Sequence, residues 1–100
     1  SVETMDSMFK EAQDFNQPLH RWDISKVWDM TDMFSHTDKF NQPLDQWDVS
    51  QVEYMAYMFK CAGSFNQDIH GWDLSNVKRN NSMFKRATNM KEEYKPILSP

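Results

Sequence analysis

Apolar residues recur along this chain with a spacing of 25. Val2, Val27, Val52 and Val77 set the period. Met5, Met30 and Met55 share one column, and Met8, Met33, Met58 and Met83 share the next, followed directly by Phe9, Phe34, Phe59 and Phe84. Residues 2–26 and 27–51 agree at 12 of 25 positions, too many for coincidence. The chain is an internal repeat, and its period decides how every other feature is read. Within a unit, Val27, Met30, Met33 and Phe34 stand at i, i+3, i+6 and i+7, which predicts one face of a short helix. Ser25, Ser50 and Ser75 precede that face as N-caps, and Ser50 with Glu53 makes a capping box. Phe40-Asn41-Gln42-Pro43-Leu44 alternates apolar and polar and predicts a very short strand, limited by the missing N–H of Pro43. Trp-Asp-x-Ser then predicts a turn closed by the Asp or Ser side chain.

A unit of this size cannot bury its own apolar face, so neighbouring units must cover one another. The expected architecture is an α/β repeat solenoid of about three and a half coils in one domain. Its units are 2–26, 27–51 and 52–76, with a modified C-terminal capping unit at 77–100. In that arrangement Phe15, Phe40 and Phe65, and likewise Trp22, Trp47 and Trp72, form core ladders. Asn16, Asn41 and Asn66 with Gln17, Gln42 and Gln67 form amide ladders. Residues repeated in every coil are scaffold first. The ends differ from the middle. Ser1 falls in the column of Lys26, which reads as a boundary inside a unit, whereas Asn80, Met90 and Lys91-Glu92-Glu93 break the pattern at the other end. Asn89 reads as a new helix start there and Pro96 as its stop.

Composition narrows the function classes. Leu, Ile, Val and Phe make up just under a fifth of the chain, but eight Met and four Trp supply the missing apolar bulk. A net charge of −4 is too small for disorder and disfavours nucleic acid as partner. No apolar run approaches the roughly 18 residues of a membrane helix, and no signal peptide is visible. A single cysteine leaves no internal disulfide and no cysteine-based zinc site.

Three motifs together carry a family resemblance. Met30-Thr31-Asp32-Met33-Phe34, Phe40-Asn41-Gln42-Pro43-Leu44 and Trp47-Asp48-Val49-Ser50-Gln51-Val52 resemble the repeat of BspA-like leucine-rich-repeat surface proteins, shared with mycoplasma lipoproteins of unknown function. The resemblance covers about residues 2–84 and departs at Asp68, at Asn80 and after Ala87. It implies a right-handed solenoid related to leucine-rich repeats, a cell-surface or secreted location, and work in adhesion or protein binding. It supplies no catalytic residues.

The residues offer little independent chemistry. His20, Asp45 and His70 share a column, so adjacent coils bring two imidazoles and a carboxylate together, a marginal zinc set lacking a fourth ligand. Cys61 has His36 one coil away, but no orienting third group for a catalytic pair. Asp23, Asp48 and Asp73 would repel as a bare acidic ladder and are read as consumed by their own turns. No Gly-rich phosphate loop exists, and no enzyme or cofactor is expected. The expected function is a non-enzymatic protein-interaction or adhesion module of a surface or secreted bacterial-type protein. The alternative is a small cytoplasmic regulator or inhibitor that binds one protein. Binding would fall to exposed residues that vary between units: Lys10, Glu11, Ser35, His36, Lys60 and Cys61. Charge is polarised, with −6 over residues 1–50 and +2 over residues 51–100. Together with an uncovered first coil, that polarity predicts salt-sensitive self-association through the N-terminal coil.

Overall fold

Met5, Ser7, Phe9 and Glu11 send their backbone N–H groups to the carbonyls of Asp29, Thr31, Met33 and Ser35, at 2.8 to 3.0 Å. The same four places in the next unit, Met30, Asp32, Phe34 and His36, donate to Tyr54, Ala56, Met58 and Lys60. Met55, Tyr57, Phe59 and Cys61 donate in turn to Arg79, Asn81, Met83 and Lys85. These bonds come from a computed structural model that describes residues 3–97. The expected readings at Ser1, Val2 and the last three residues of the terminal unit lie outside the described residues.

The α/β solenoid expected from the periodicity is not what the chain forms. The described residues make a compact globule with a radius of gyration of 12.0 Å, almost no helix and almost no strand. One 3-10 helix, Glu92–Tyr94, is the sole helical element described. Parallel pairing is confined to isolated bridges, Thr4 with Asp29, Asp29 with Tyr54 and Tyr54 with Arg79, and no sheet results.

The helix expectation fails for a physical reason. Val27, Met30, Met33 and Phe34 have helical spacing, but an α-helix needs each N–H to reach the carbonyl four residues back. Here alternate N–H groups leave for the neighbouring unit. The others close turns three residues back: Met33 to Met30, Ser35 to Asp32 and Thr37 to Phe34, at 3.1 to 3.2 Å. A segment of about eight residues also nucleates a helix poorly, so inter-unit bonds win. The result is a run of overlapping tight turns. Asp32 and His36 sit at the third turn position with φ of 59° and 62°, the place that takes positive φ in a type II turn. Ser7, Glu11, Tyr57, Cys61, Ser82 and Arg86 repeat this in the other units. With no helix there, Ser50 and Glu53 make no capping box. The strand expected at 40–44 is absent as well, since Pro43 donates nothing and turns lie on either side.

Side chains pack with the period of the backbone. Phe9, Phe34, Phe59 and Phe84 stack at 5.5 to 5.6 Å between ring centroids, and Phe15, Phe40 and Phe65 at 5.7 to 5.9 Å. Within a unit the two Phe rings stack at 4.2 to 4.4 Å, knitting both columns into one core. Met30, Met33, Met55 and Met58 fill the space beside them and are fully buried. Unbranched Met adapts to the irregular gaps that consecutive turns leave.

Candidate interaction surface

The polar columns are consumed by local structure. The Asp23, Asp48 and Asp73 carboxylates each accept the backbone N–H of the Ser two residues on at 3.0 Å. Asp23 and Asp48 also accept the Ser25 and Ser50 hydroxyls at 2.6 Å. The Ser hydroxyl and then the Ser N–H hold all three carboxyls below the ordinary carboxylate range. Repulsion on Asp48 from its column neighbours Asp73 and Asp23 pushes the other way and is the smaller effect. The amide ladder takes a simple form. Asn16 Oδ1 accepts the Asn41 N–H and the Gln42 Nε2 amide at 2.9 and 3.0 Å, and Asn41 Oδ1 does the same for Asn66 and Gln67. Asn66 Oδ1 accepts the Lys91 N–H. Asn thus bonds to the next unit's Asn backbone and Gln side chain, while Gln17, Gln42 and Gln67 do not bond to one another. In the Trp column, Trp47 and Trp72 are buried and donate from Nε1 to the carbonyls of Leu19 and Leu44 at 2.9 Å, whereas Trp22 is 42% exposed. Phe40 and Phe65 are buried, and Phe15 packs half-buried against the core.

The candidate metal trio does not converge. No group of three or more His, Cys, Asp or Glu side chains among the described residues is placed to hold a metal ion. His20, Asp45 and His70 are all exposed, and Asp45 accepts a hydrogen bond from Gln46 Nε2. The six unit-variable residues divide. Lys10 and Glu11 are exposed, while His36, Lys60 and Cys61 are half-buried. Ser35 is 1% exposed, which removes it from any binding face. Its N–H closes a turn on Asp32 and its carbonyl accepts the Glu11 N–H, so the residue is held inside between two units. Cys61 is a free, half-buried thiol, and His36 and Cys61 are joined by no hydrogen bond among the described residues.

A different face gathers the residues best suited to a protein contact. Trp28 is 40% exposed and meets Tyr54 edge-on at 6.0 Å. Trp28 with Ser25, Lys26, Gln51 and Glu53 lines an open groove of about 420 Å³. Tyr54 continues into a second of about 410 Å³, whose wall adds Tyr57 and Arg79. The bridge-forming backbone positions Asp29, Tyr54 and Arg79 run through this face, so its side chains rise from a cross-linked part of the fold. Glu53 pairs with Lys78 at 2.9 Å at its edge, and that contact raises the Lys78 pKa. Sequence reasoning missed this face because Trp28, Tyr54 and Tyr57 belong to no repeated aromatic column. That irregularity was the available signal.

The model of one protein family, described as Mycoplasma protein of unknown function, DUF285, matches residues 1–96. No curated protein and no solved structure matches the chain. Among the described residues no helix is long and apolar enough to cross a membrane.

Proposed function

The chain belongs to the DUF285 family, which brings no activity with it, and we propose that it is a non-enzymatic protein-interaction module working in adhesion. One observation carries this reading: Trp28, Tyr54, Tyr57 and Arg79 gather on two adjoining open grooves. Trp, Tyr and Arg dominate the binding energy of protein interfaces, because each offers a large contact area with a polar or charged tip. The resemblance to BspA-like repeats supports placing the module at the cell surface or in a secreted protein, and the family description is compatible with that source.

The test uses beads coated with the chain and a host cell layer. Parent-coated beads should adhere, trypsin treatment of the layer should abolish adhesion, and Trp28→Ala with Tyr57→Ala should lower it at least about tenfold, the loss expected for two central aromatic anchors. Equal adhesion by parent and variant beads would refute the assignment of this face. Labelling of intact against permeabilised cells separates a surface protein from the cytoplasmic regulator: a signal only after permeabilisation would refute the surface location.

A further inference from the structure

Two backbone donors on the wall of one groove lack the partner that their counterparts have elsewhere in the repeat. Asp6, Thr31, Ala56 and Asn81 share a column, and each stands two residues after a member of the column Thr4, Asp29, Tyr54 and Arg79. In the first two of these places the earlier side chain serves the later N–H. Asp6 donates its N–H to Thr4 Oγ1 at 3.5 Å, and Thr31 donates its N–H to Asp29 Oδ1 at 3.0 Å. Arg79 carries no acceptor, and the Tyr54 hydroxyl lies too far out on its ring to fold back over two residues. The Ala56 and Asn81 N–H groups accordingly meet no acceptor among the described residues.

Both residues line the groove of about 410 Å³ that Tyr54, Tyr57 and Arg79 wall. The bridge between Tyr54 and Arg79 sets their two segments side by side, about 4.8 Å apart, so the two oxygens of one carboxylate can accept from both N–H groups. Arg79 is the one charged side chain on that wall, and it enters no ion pair among the described residues. Lys60 adds an ammonium 5.5 Å from the Tyr57 ring. Asp29 is already occupied by Thr31, which leaves Asp32, in the column of Tyr57, as the acid that opposes an incoming anion.

The aromatic rings suit the chain on either side of such an acid. An extended segment sends alternate side chains to one side about 7 Å apart. A residue next but one to the acid can therefore reach past Tyr54 to Trp28, whose ring lies 6.0 Å away and opens on the adjoining groove.

We propose that this groove takes an Asp or Glu side chain from an extended segment of a protein partner, its carboxylate standing on the Ala56 and Asn81 N–H groups as the Asp29 carboxylate stands on Thr31. The proposal rests on the protein-interaction reading above and gives the partner its chemistry. Arg79 adds charge to the two backbone donors, and backbone N–H groups of successive units form an anion-binding concavity that needs no side-chain ordering.

Amide NMR on the whole chain, titrated with the blocked peptide Ala-Tyr-Glu-Tyr-Ala, tests it. The Ala56 and Asn81 resonances should move saturably while that of Thr31 stays in place. The same peptide with Gln for Glu should bind at least about tenfold more weakly, because a charged acceptor is lost. Arg79→Gln should weaken binding by about threefold, the loss of one exposed charge. Arg79→Asp should abolish it, and the Asn81 resonance should already be displaced without peptide, because the chain then supplies its own carboxylate. An otherwise unchanged spectrum shows that variant to be folded. Three results overturn the proposal: no saturable movement of the two amides, equal binding of the Glu and Gln peptides, or tighter binding at the same amides by inorganic sulfate or sialyllactose, which would make the site one for free anions or for glycans. Bead adhesion that still depends on Trp28 and Tyr57 after such a result would leave the interaction module standing and remove the acidic partner alone.

Discussion

Trp47 and Trp22 occupy the same column in different surroundings, which makes them a paired test of the packing. Trp47 is 4% exposed, lies 6.2 Å from the Phe34 ring and donates from Nε1 to the Leu19 carbonyl at 2.9 Å. Truncating a buried Trp to Ala costs about 3–5 kcal/mol. The lost indole donor adds little to this, since the Leu19 carbonyl still accepts the Trp22 N–H at 3.0 Å. Trp47→Ala is therefore expected to cost about 4 kcal/mol. Trp47→Phe keeps most of the packing and removes the donor, for an expected loss of about 1–2 kcal/mol. Trp22→Ala removes a side chain that is 42% exposed and should cost under about 1 kcal/mol. Urea unfolding followed by far-ultraviolet circular dichroism gives all three midpoints against the parent. A domain of this size has only about 5–15 kcal/mol to lose, so the first variant should shift far and the last barely. Equal shifts for Trp22→Ala and Trp47→Ala would refute the assignment of buried and exposed ends to this column.

Two further predictions rest on the turns. The Asp23, Asp48 and Asp73 carboxyls sit below their ordinary value of 3.8 in the folded chain, so their contribution to stability is complete above 3.8 and disappears as pH falls through the lowered folded values. Ser50→Ala should therefore lower the neutral part of a plot of urea midpoint against pH and flatten its acid limb, variant and parent converging at the lowest pH; an unchanged acid limb would show that Ser50 does not bias the ionisation of Asp48. Ser82 is exposed at φ 55°, where a branched side chain clashes, so Ser82→Ile should destabilise by about 1–2 kcal/mol while Ser82→Gly should match or exceed the parent in a thermal melt.

The period of 25 was legible because a column residue meets the same neighbours in every unit, so identity is preserved wherever contact is obligatory. Phe34 and Phe59 show this most directly, stacked on each other and unchanged between units. The Asp-x-Ser turns were legible too, since a carboxylate two residues before a hydroxyl has a local partner regardless of fold. Secondary structure was not legible. Met30, Met33 and Phe34 satisfy a helical wheel and a run of three-residue turns equally well, because both bring every third side chain to one side. What separates them is the destination of alternate N–H groups, and that is decided by the neighbouring unit at Tyr54, Ala56 and Met58. Ser35 shows the same gap from the other side. It varies between units, which suggests exposure, yet its backbone is locked between two units and a small side chain there is simply buried.

The left-handed residues join the fold to its surface. Ser7, Glu11, Asp32, His36, Tyr57, Cys61, Ser82 and Arg86 all have positive φ, and neither glycine of the chain does. Each of these conformations costs of order 1–3 kcal/mol and persists only when the surroundings fix it. Six of the eight donate their N–H to a carbonyl of the next unit, with Glu11, His36 and Cys61 each tied at 2.8 Å, while Ser82 and Arg86 hold the same φ without that bond among the described residues. Those bonds use the backbone alone, so side-chain identity is free to change. One constraint remains: a branched Cβ clashes at positive φ, and none of the eight residues is Val, Ile or Thr. Within that limit the column of Glu11, His36, Cys61 and Arg86 holds four different chemistries, and Ser7, Asp32, Tyr57 and Ser82 three. Tyr57 brings an aromatic ring into the proposed binding face from such a position. A scaffold that takes side chains as different as Ser, Asp, Tyr and Arg at its strained positions can acquire a binding face without altering the core.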